Sequence, residues 1–403
     1  MVKGSCIVGQ SGGPTSVINA SLAGVIETAI NSNEIDQVYG AINGVSGIIN
    51  DQLINFTNMT KEELTLLKTT PGAFLGSVRY HLGDYNNPDY KSILKIFKKY
   101  NIRYFFYIGG NDSMDTCHKI ACFLKQANYE AYVIGIPKTI DNDLVLTDHT
   151  PGYGSTIKYI ASTISQIYLD TNSYSHGRVT IVEIMGRDAG WLTAGAALAK
   201  LNNCGPDLIY LPEIPLNIES FLEDIKKIYQ KKQKVLVAVG EGIKTSDHDY
   251  LLRYRHFNNS DDFGHLQLGG VGLVLCEMVS NKLNLPVRSI ELNLPQRCAS
   301  HFYSQTDFNE AYNAGKYALK FALNGHSDQM VVFKRIDYPY HIDYDLASLC
   351  DVATKIKFVP NNFINEEHNN ITDEYLEYAK PLIEGEVNIP FENGLPKFIQ
   401  LKK

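Results

Sequence analysis

No apolar run in the 403 residues approaches the ~18 needed to cross a bilayer, so neither a membrane span nor a membrane partner is expected. The start, MVKGSCIVGQSGG, lacks a basic region followed by a long apolar stretch, which argues against a signal peptide. Seven cysteines, an odd number, are scattered without a CxxC pair. That suits a reduced, cytoplasmic protein with incidental thiols and argues against a disulfide or multi-cysteine zinc framework. Eleven histidines form no HExxH, so a histidine metal centre is not expected. A net charge of −7 argues against broad nucleic-acid binding. Neither proline nor glycine dominates, and no short-period repeat is evident. What remains is an ordinary globular chain, long enough for two domains.

Strands alternate with helices along it. Residues 5–9, SCIVG, predict a strand that runs into the tight turn Gln10-Ser11-Gly12-Gly13-Pro14, with a helix from Thr15 or Ser16. Strand, glycine turn and helix start together present backbone N–H groups and a positive dipole end to a phosphate. No GK[ST] follows, so this is not a Walker loop; an ordinary βα turn would look the same. Residues 69–84 are a glycine-rich loop holding Arg79, and residues 88–100 predict an amphipathic helix. The runs 104–108 and 132–136 predict neighbouring parallel strands, the first followed by a helix over 113–128. A helix over 153–169, strands over 179–184, 208–211, 235–239 and 287–292, a helix over 270–283, a helix around 309–323 and a strand at 330–334 complete the pattern. Residues 244–267 read as a polar excursion. The class is α/β with mainly parallel sheets, and two successive βα series split near residue 150 predict two domains with a cleft between them.

Acids gather where the two central strands end. Gly109-Gly110-Asn111-Asp112-Ser113 follows the first, and Pro137-Lys138-Thr139-Ile140-Asp141-Asn142-Asp143 follows the second. Ligand crevices in such sheets lie at the carboxyl ends of strands. At i and i+2 of an extended segment, Asp141 and Asp143 would point the same way. They would then bind a metal or share proton transfer, unless they merely build an Asx-rich turn. Asp112 has the plain alternative of a helix-end carboxylate. Arg79, Lys138, Arg178, Arg187, Arg288 and Arg297 fall in strands, at their ends or in flanking loops, which suits dianionic ligands as well as surface ion pairs.

GGNDS and PKTIDND, together with SGGPTSVINA near the start and the later VEIMGRDAG, resemble the phosphofructokinase family, most closely its pyrophosphate-dependent branch. The likeness runs from about residue 4 to about residue 300 in the family's motif order. It implies two doubly wound domains, with the chain returning to the first before finishing on the second. That gives 1–152 plus about 296–345 for the phosphate donor and Mg²⁺, and 153–295 plus about 346–403 for the sugar phosphate. The implied reaction is Mg²⁺-dependent, reversible phosphoryl transfer from pyrophosphate to the 1-hydroxyl of fructose 6-phosphate. Asp141 matches the family's base, Asp143 a supporting acid, and Thr139 and Ile140 lie in the substrate-contacting stretch. Met185, Gly186, Arg187, Glu241 and Arg297 match sugar-phosphate contacts, and Arg187 is also grouped with Asp141, Lys138 and Asp143 as catalytic. Arg178 and Arg288 match arginines supplied by a neighbouring subunit, implying a homodimer or homotetramer. Gly12 matches a donor contact, and Arg79 is grouped with the donor-binding residues.

ATP-using relatives carry glycine at the positions of Asp112 and Lys138. A carboxylate at 112 would repel a nucleotide's α-phosphate, and an ammonium at 138 would neutralise the transferred or leaving phosphate. The family's metal-associated acid is Asn111 here, which favours holding Mg²⁺ through water. Cys298-Ala299 replaces the common Gly-Gly after Gln296-Arg297, and Leu294 stands where relatives often carry His or Tyr. These departures leave a seven-carbon ketose phosphate open as substrate. An ATP-dependent enzyme and a non-catalytic sugar-phosphate-binding paralogue are the alternatives.

Overall fold

The computed structural model describes residues 2–78, 80–247, 249–251 and 269–400. Its strands, in chain order, are β1 (Gly4–Gln10), β2 (Ile35–Ala41), β3 (Leu53–Asn55), β4 (Ile102–Gly109), β5 (Tyr132–Pro137), β6 (Arg178–Ile184), β7 (Leu208–Tyr210), β8 (Lys234–Gly240), β9 (Val287–Glu291), β10 (Gln329–Asp337) and β11 (Tyr340–Ser348), followed by a small terminal hairpin. A seven-stranded sheet runs β11-β10-β5-β4-β1-β2-β3, and a four-stranded sheet runs β7-β8-β6-β9. The second is parallel throughout. In the first, only the outer strands β3 and β11 pair antiparallel.

β1 is buried at every position and β4 at nearly every one, because helices cover both faces of the sheet. The chain leaves β1 toward β2 on one side, whereas β4 lies on the other. The helix after β1, Ile18–Ile30, packs with Ala314, Ala318 and Leu319 on one face. The helix after β4, Asn111–Gln126, packs with Ile93 and Phe97 on the opposite face. Their starts therefore diverge between β1 and β4 and open a crevice at the strands' carboxyl ends.

The C-terminal third joins both sheets. β10 lies beside β5, while Val359, Ile371, Tyr375 and Leu382 enter the apolar cluster under the second sheet. Asp307, from the helix Gln305–Leu323, accepts the Gly152 and Ser155 backbone N–H groups, each at 2.9 Å, at the start of the helix Tyr153–Asn172. Several elements escaped sequence reading. A short helix, Gly44–Ile49, follows β2, and Lys61–Thr69 is a helix opened by a Thr60–Glu63 capping box. β11 alternates apolar and polar residues from Tyr340 to Leu346, the period of a half-buried strand, and was passed over all the same. The predicted excursion at 244–267 falls largely outside the described residues.

Candidate active site

A cavity of about 480 Å³ lies where the ends of β1, β4 and β5 face the ends of β6 and β8. The first sheet contributes Gly12, Asn111, Asp112, Lys138, Thr139, Ile140, Asp141 and Asp143. From the second half come Met185, Arg187, Glu241 and Arg297. Gly186 stands just behind, its N–H donating to Glu241 Oε1 at 3.2 Å. Gly12 and Arg297, 285 positions apart in the chain, thus line one cavity.

The glycine turn and Lys138 are built together. Lys138 is 3% exposed, and its Nζ donates to the Gly13 carbonyl at 2.7 Å. Gly12 has φ +76°, and a Cβ there would stand 3.2 Å from Lys138 Nζ. Only glycine leaves this approach unstrained. Across the turn, Gly109 must also be glycine, since a Cβ would fall 2.0 Å from Ser113 Oγ. The helix Asn111–Gln126 begins there, one residue pair earlier than its periodicity predicts, so Asp112 sits exposed in its first turn. That is a favourable place for any carboxylate, and it is also the cavity rim.

The Asp141–Asp143 segment is not extended. Asn142 adopts φ +52° and makes a turn, so strand alternation is not what brings the two carboxylates into the cavity. The turn is fixed from inside by the Asp141 N–H, which donates to Thr139 Oγ1 at 3.1 Å. From outside it is fixed by Lys357, whose Nζ donates to Asn142 Oδ1 at 3.2 Å, Thr147 O at 3.2 Å and Asp148 O at 2.8 Å. The Lys357 N–H donates to Asp143 O at 2.8 Å. Its carbonyl accepts Trp191 Nε1 at 2.9 Å, next to the MGRDAG turn. Thr354 and Ile356, on the same segment, line the cavity. Nothing in the sequence marked these C-terminal residues, because their partners lie in remote parts of the chain.

Burial, then the charges of Asp143 and Glu241, push Asp141 up to about 7, against the opposing pull of Lys138 and Arg187. Burial also raises Asp143 and Glu241; the Gly186 N–H, Arg187 and Arg297 partly offset the effect at Glu241. Three carboxylates thus share a partly dry space with cations, an arrangement that keeps one of them poised to exchange a proton near neutrality. Arg187 Nε is buried without a hydrogen-bond partner. So is Asn111 Oδ1, while the Asn111 amide donates to Asp143 Oδ2 at 3.5 Å. This corner offers oxygen donors only, which fits a hard cation such as Mg²⁺.

The remaining predicted residues are elsewhere. Arg178 opens β6 and is exposed, and Arg288 is the second residue of β9. Arg288 donates to Thr180 Oγ1 at 3.3 Å, Thr171 Oγ1 at 3.0 Å and Asp170 Oδ2 at 3.3 Å. Both arginines occupy the amino ends of strands whose carboxyl ends face the cavity, so they do not join it within one chain. Leu294 is 52% exposed. Arg79 lies outside the described residues.

Crevice, acids and glycine turn together define a phosphoryl-transfer fold, and the chain belongs to the phosphofructokinase family, whose pattern matches residues 5–322. It is 38% identical to a protein of Halomonas elongata named pyrophosphate–fructose 6-phosphate 1-phosphotransferase, over all of this chain and 97% of that one. A sulfofructose kinase of Alkalicoccus urumqiensis is 36% identical over 82% of this chain and 83% of its own. The crystal structure of a pyrophosphate-dependent phosphofructokinase from Nitrosospira multiformis superposes with a TM-score of 0.90 at 36% identity, covering 99% of this chain and 96% of that one.

Proposed function

We propose that this chain transfers a phosphoryl group reversibly from pyrophosphate to the 1-hydroxyl of fructose 6-phosphate, giving fructose 1,6-bisphosphate and phosphate in the cytoplasm. The observation that carries this reading is Lys138, held over the Gly12–Gly13 turn in the same cavity as Asp141 and Asp112. Pyrophosphate has no nucleoside to grip, so its binding must come from charge and backbone N–H groups. The turn after β1 and the first turn of the helix Asn111–Gln126 supply the N–H groups, and Lys138 supplies charge.

In this reading Asp141 accepts the proton of the 1-hydroxyl as that oxygen bonds to the nearer phosphorus. The bridging P–O bond breaks, and its electrons leave with phosphate. Lys138 neutralises charge on the transferred and leaving groups, and Asp143 supports Asp141. Positioning and charge neutralisation suffice for this chemistry. Asp112 meets the place where a nucleotide's α-phosphate would pass and repels it. Thr139, Ile140, Met185, Gly186, Arg187, Glu241 and Arg297 hold the sugar phosphate, and Arg79 belongs with the donor. Mg²⁺ would be held by Asn111 through water, beside Asp141 and Asp143. When bound it would supply charge neutralisation on the donor oxygens.

Arg178 and Arg288 serve the 6-phosphate of an adjacent subunit, so the working unit is a homodimer or homotetramer. The chain divides into a donor domain, 1–152 plus about 296–345, and a sugar domain, 153–295 plus about 346–403. The position of β10 in the first sheet and of Tyr375 under the second supports that division.

Purified protein, fructose 6-phosphate and Mg²⁺, with pyrophosphate and ATP in separate reactions, test the reading. Pyrophosphate should exceed ATP at least ~100-fold in kcat/KM, about 3 kcal/mol of discrimination. Comparable values would reject the donor assignment.

A further inference from the structure

The helix Asn111–Gln126 carries a second group of ligating side chains, apart from the residues that line the active-site cavity. His118 and Cys122 are four residues apart, so they stand one above the other on a single helical face. Asp328 meets them from the sheet. His118 Nδ1 lies 2.9 Å from Asp328 Oδ1, and Cys122 Sγ lies 3.9 Å from Nδ1 and 3.8 Å from Nε2. One ligand atom from each residue fits within 4.8 Å of the other two. Asp328 is held in place by its own backbone: its N–H donates to Val133 O at 2.9 Å, and its carbonyl accepts the Leu349 N–H at 3.1 Å. All three side chains are partly exposed, and Cys122 and Asp328 line a groove of about 500 Å³.

We infer that His118, Cys122 and Asp328 form a binding site for a borderline divalent transition metal of the Zn²⁺ class. Metal–ligand bonds of about 2.0–2.3 Å at tetrahedral angles put neighbouring ligand atoms roughly 3.3–3.7 Å apart. The two Nδ1 separations, 2.9 Å and 3.9 Å, bracket that spacing, and one ligand atom from each of the three residues lies within 4.8 Å of the others. A nitrogen, a sulfur and an oxygen donor together select Zn²⁺ or Co²⁺ over Mg²⁺, which takes oxygen ligands. Three protein ligands leave a fourth position for water. Occupancy would staple this helix, whose first turn carries Asn111 and Asp112, to the strand entry at Asp328. An ordinary His118–Asp328 ion pair with Cys122 nearby is the competing account, and it requires no sulfur–metal bond.

Whole protein, stripped with chelator and kept in excess Mg²⁺ to occupy oxygen-only sites, should be titrated with Co²⁺. One equivalent should bind with a thiolate-to-cobalt charge-transfer band in the near ultraviolet, reversed by Zn²⁺, and Zn²⁺ should raise the thermal midpoint. Cys122→Ser should abolish the band. His118→Ala and Asp328→Asn should each weaken binding at least tenfold. Asn is well tolerated at the left-handed backbone of residue 328, φ +59°, so that variant keeps the fold while removing the charge. Absence of the band, or its survival in Cys122→Ser, would overturn the site. Because the readout is spectroscopic, its failure is separable from failure of the phosphotransferase reading.

Discussion

Lys138 Nζ and the Gly13 carbonyl oxygen are 2.7 Å apart, which locks the lysine that follows β5 onto the glycine turn that follows β1. Lys138→Met should therefore cut kcat by ~10² or more, because a preorganised cation in a partly dry site stabilises developing phosphate charge by about 3 kcal/mol. Asp112→Gly, on the exposed rim, should leave pyrophosphate turnover measurable and raise the use of ATP. Specificity constants for both donors check this, and an unchanged donor ratio would remove Asp112 from selectivity.

Asp141→Ser should lower kcat by ~10² or more with little change in KM for the sugar phosphate. A base works only when deprotonated, and Asp141 is raised to about 7, so kcat/KM should rise with pH through that region and level off above it. Asp143→Asn removes one of the repelling charges and should move the acidic limb to lower pH. A limb that stays in place would show that the pair does not set it.

Lys357→Met should move the Asp141–Asp143 turn without touching substrate. Asn142 Oδ1 and Thr147 O lose their Lys357 donor, while Asp148 O keeps only Tyr378 Oη at 3.1 Å. Stability should fall by about 1–3 kcal/mol in denaturant unfolding. kcat should fall at least tenfold at temperatures where the variant is fully folded. Normal kcat there would confine Lys357 to a structural role.

His149 lies between two carboxylates, with Nδ1 2.8 Å from Asp148 Oδ1 and Nε2 2.7 Å from Glu310 Oε2. Burial opposes its charge, but Glu310 and Asp148 outweigh it and raise the imidazole to about 9. The folded state therefore holds this proton more tightly than the unfolded chain. The resulting stability should be fully present below about pH 6.5 and disappear as pH rises through about 9. Unfolding free energy measured against pH should show that decline, and Glu310→Gln should flatten it.

Arg178 and Arg288 stand at the strand ends remote from the cavity of their own chain. Mixing Arg178→Ala chains with Asp141→Ser chains should restore part of the activity, because one of the two sites in a hybrid dimer carries both intact groups. Each parent alone should be nearly inactive. No recovery in verified mixed dimers would place each site within one chain.

Much of this site was legible as local pattern. β-branched and aromatic runs, each closed by glycine or proline and then by acids, marked β4, β5 and their carboxyl ends, because a strand buried on both faces and its terminating turn are written in consecutive residues. The family motifs carried Lys138, Asp141, Arg187 and Arg297 to the cavity wall in the same way. What consecutive residues do not carry, only the tertiary structure decided. Spacing alone read Asp141 and Asp143 as an extended pair, whereas the left-handed Asn142 turns the chain there, secured by Lys357 from 215 residues away. Thr354 and Ile356 reach the cavity, and Asp328 reaches His118 across 210 positions, through long-range packing that leaves no period in the sequence. Local order is set by each residue's neighbours in the chain. Which groups share a site is set by how two sheets and their covering helices bury their apolar faces against one another.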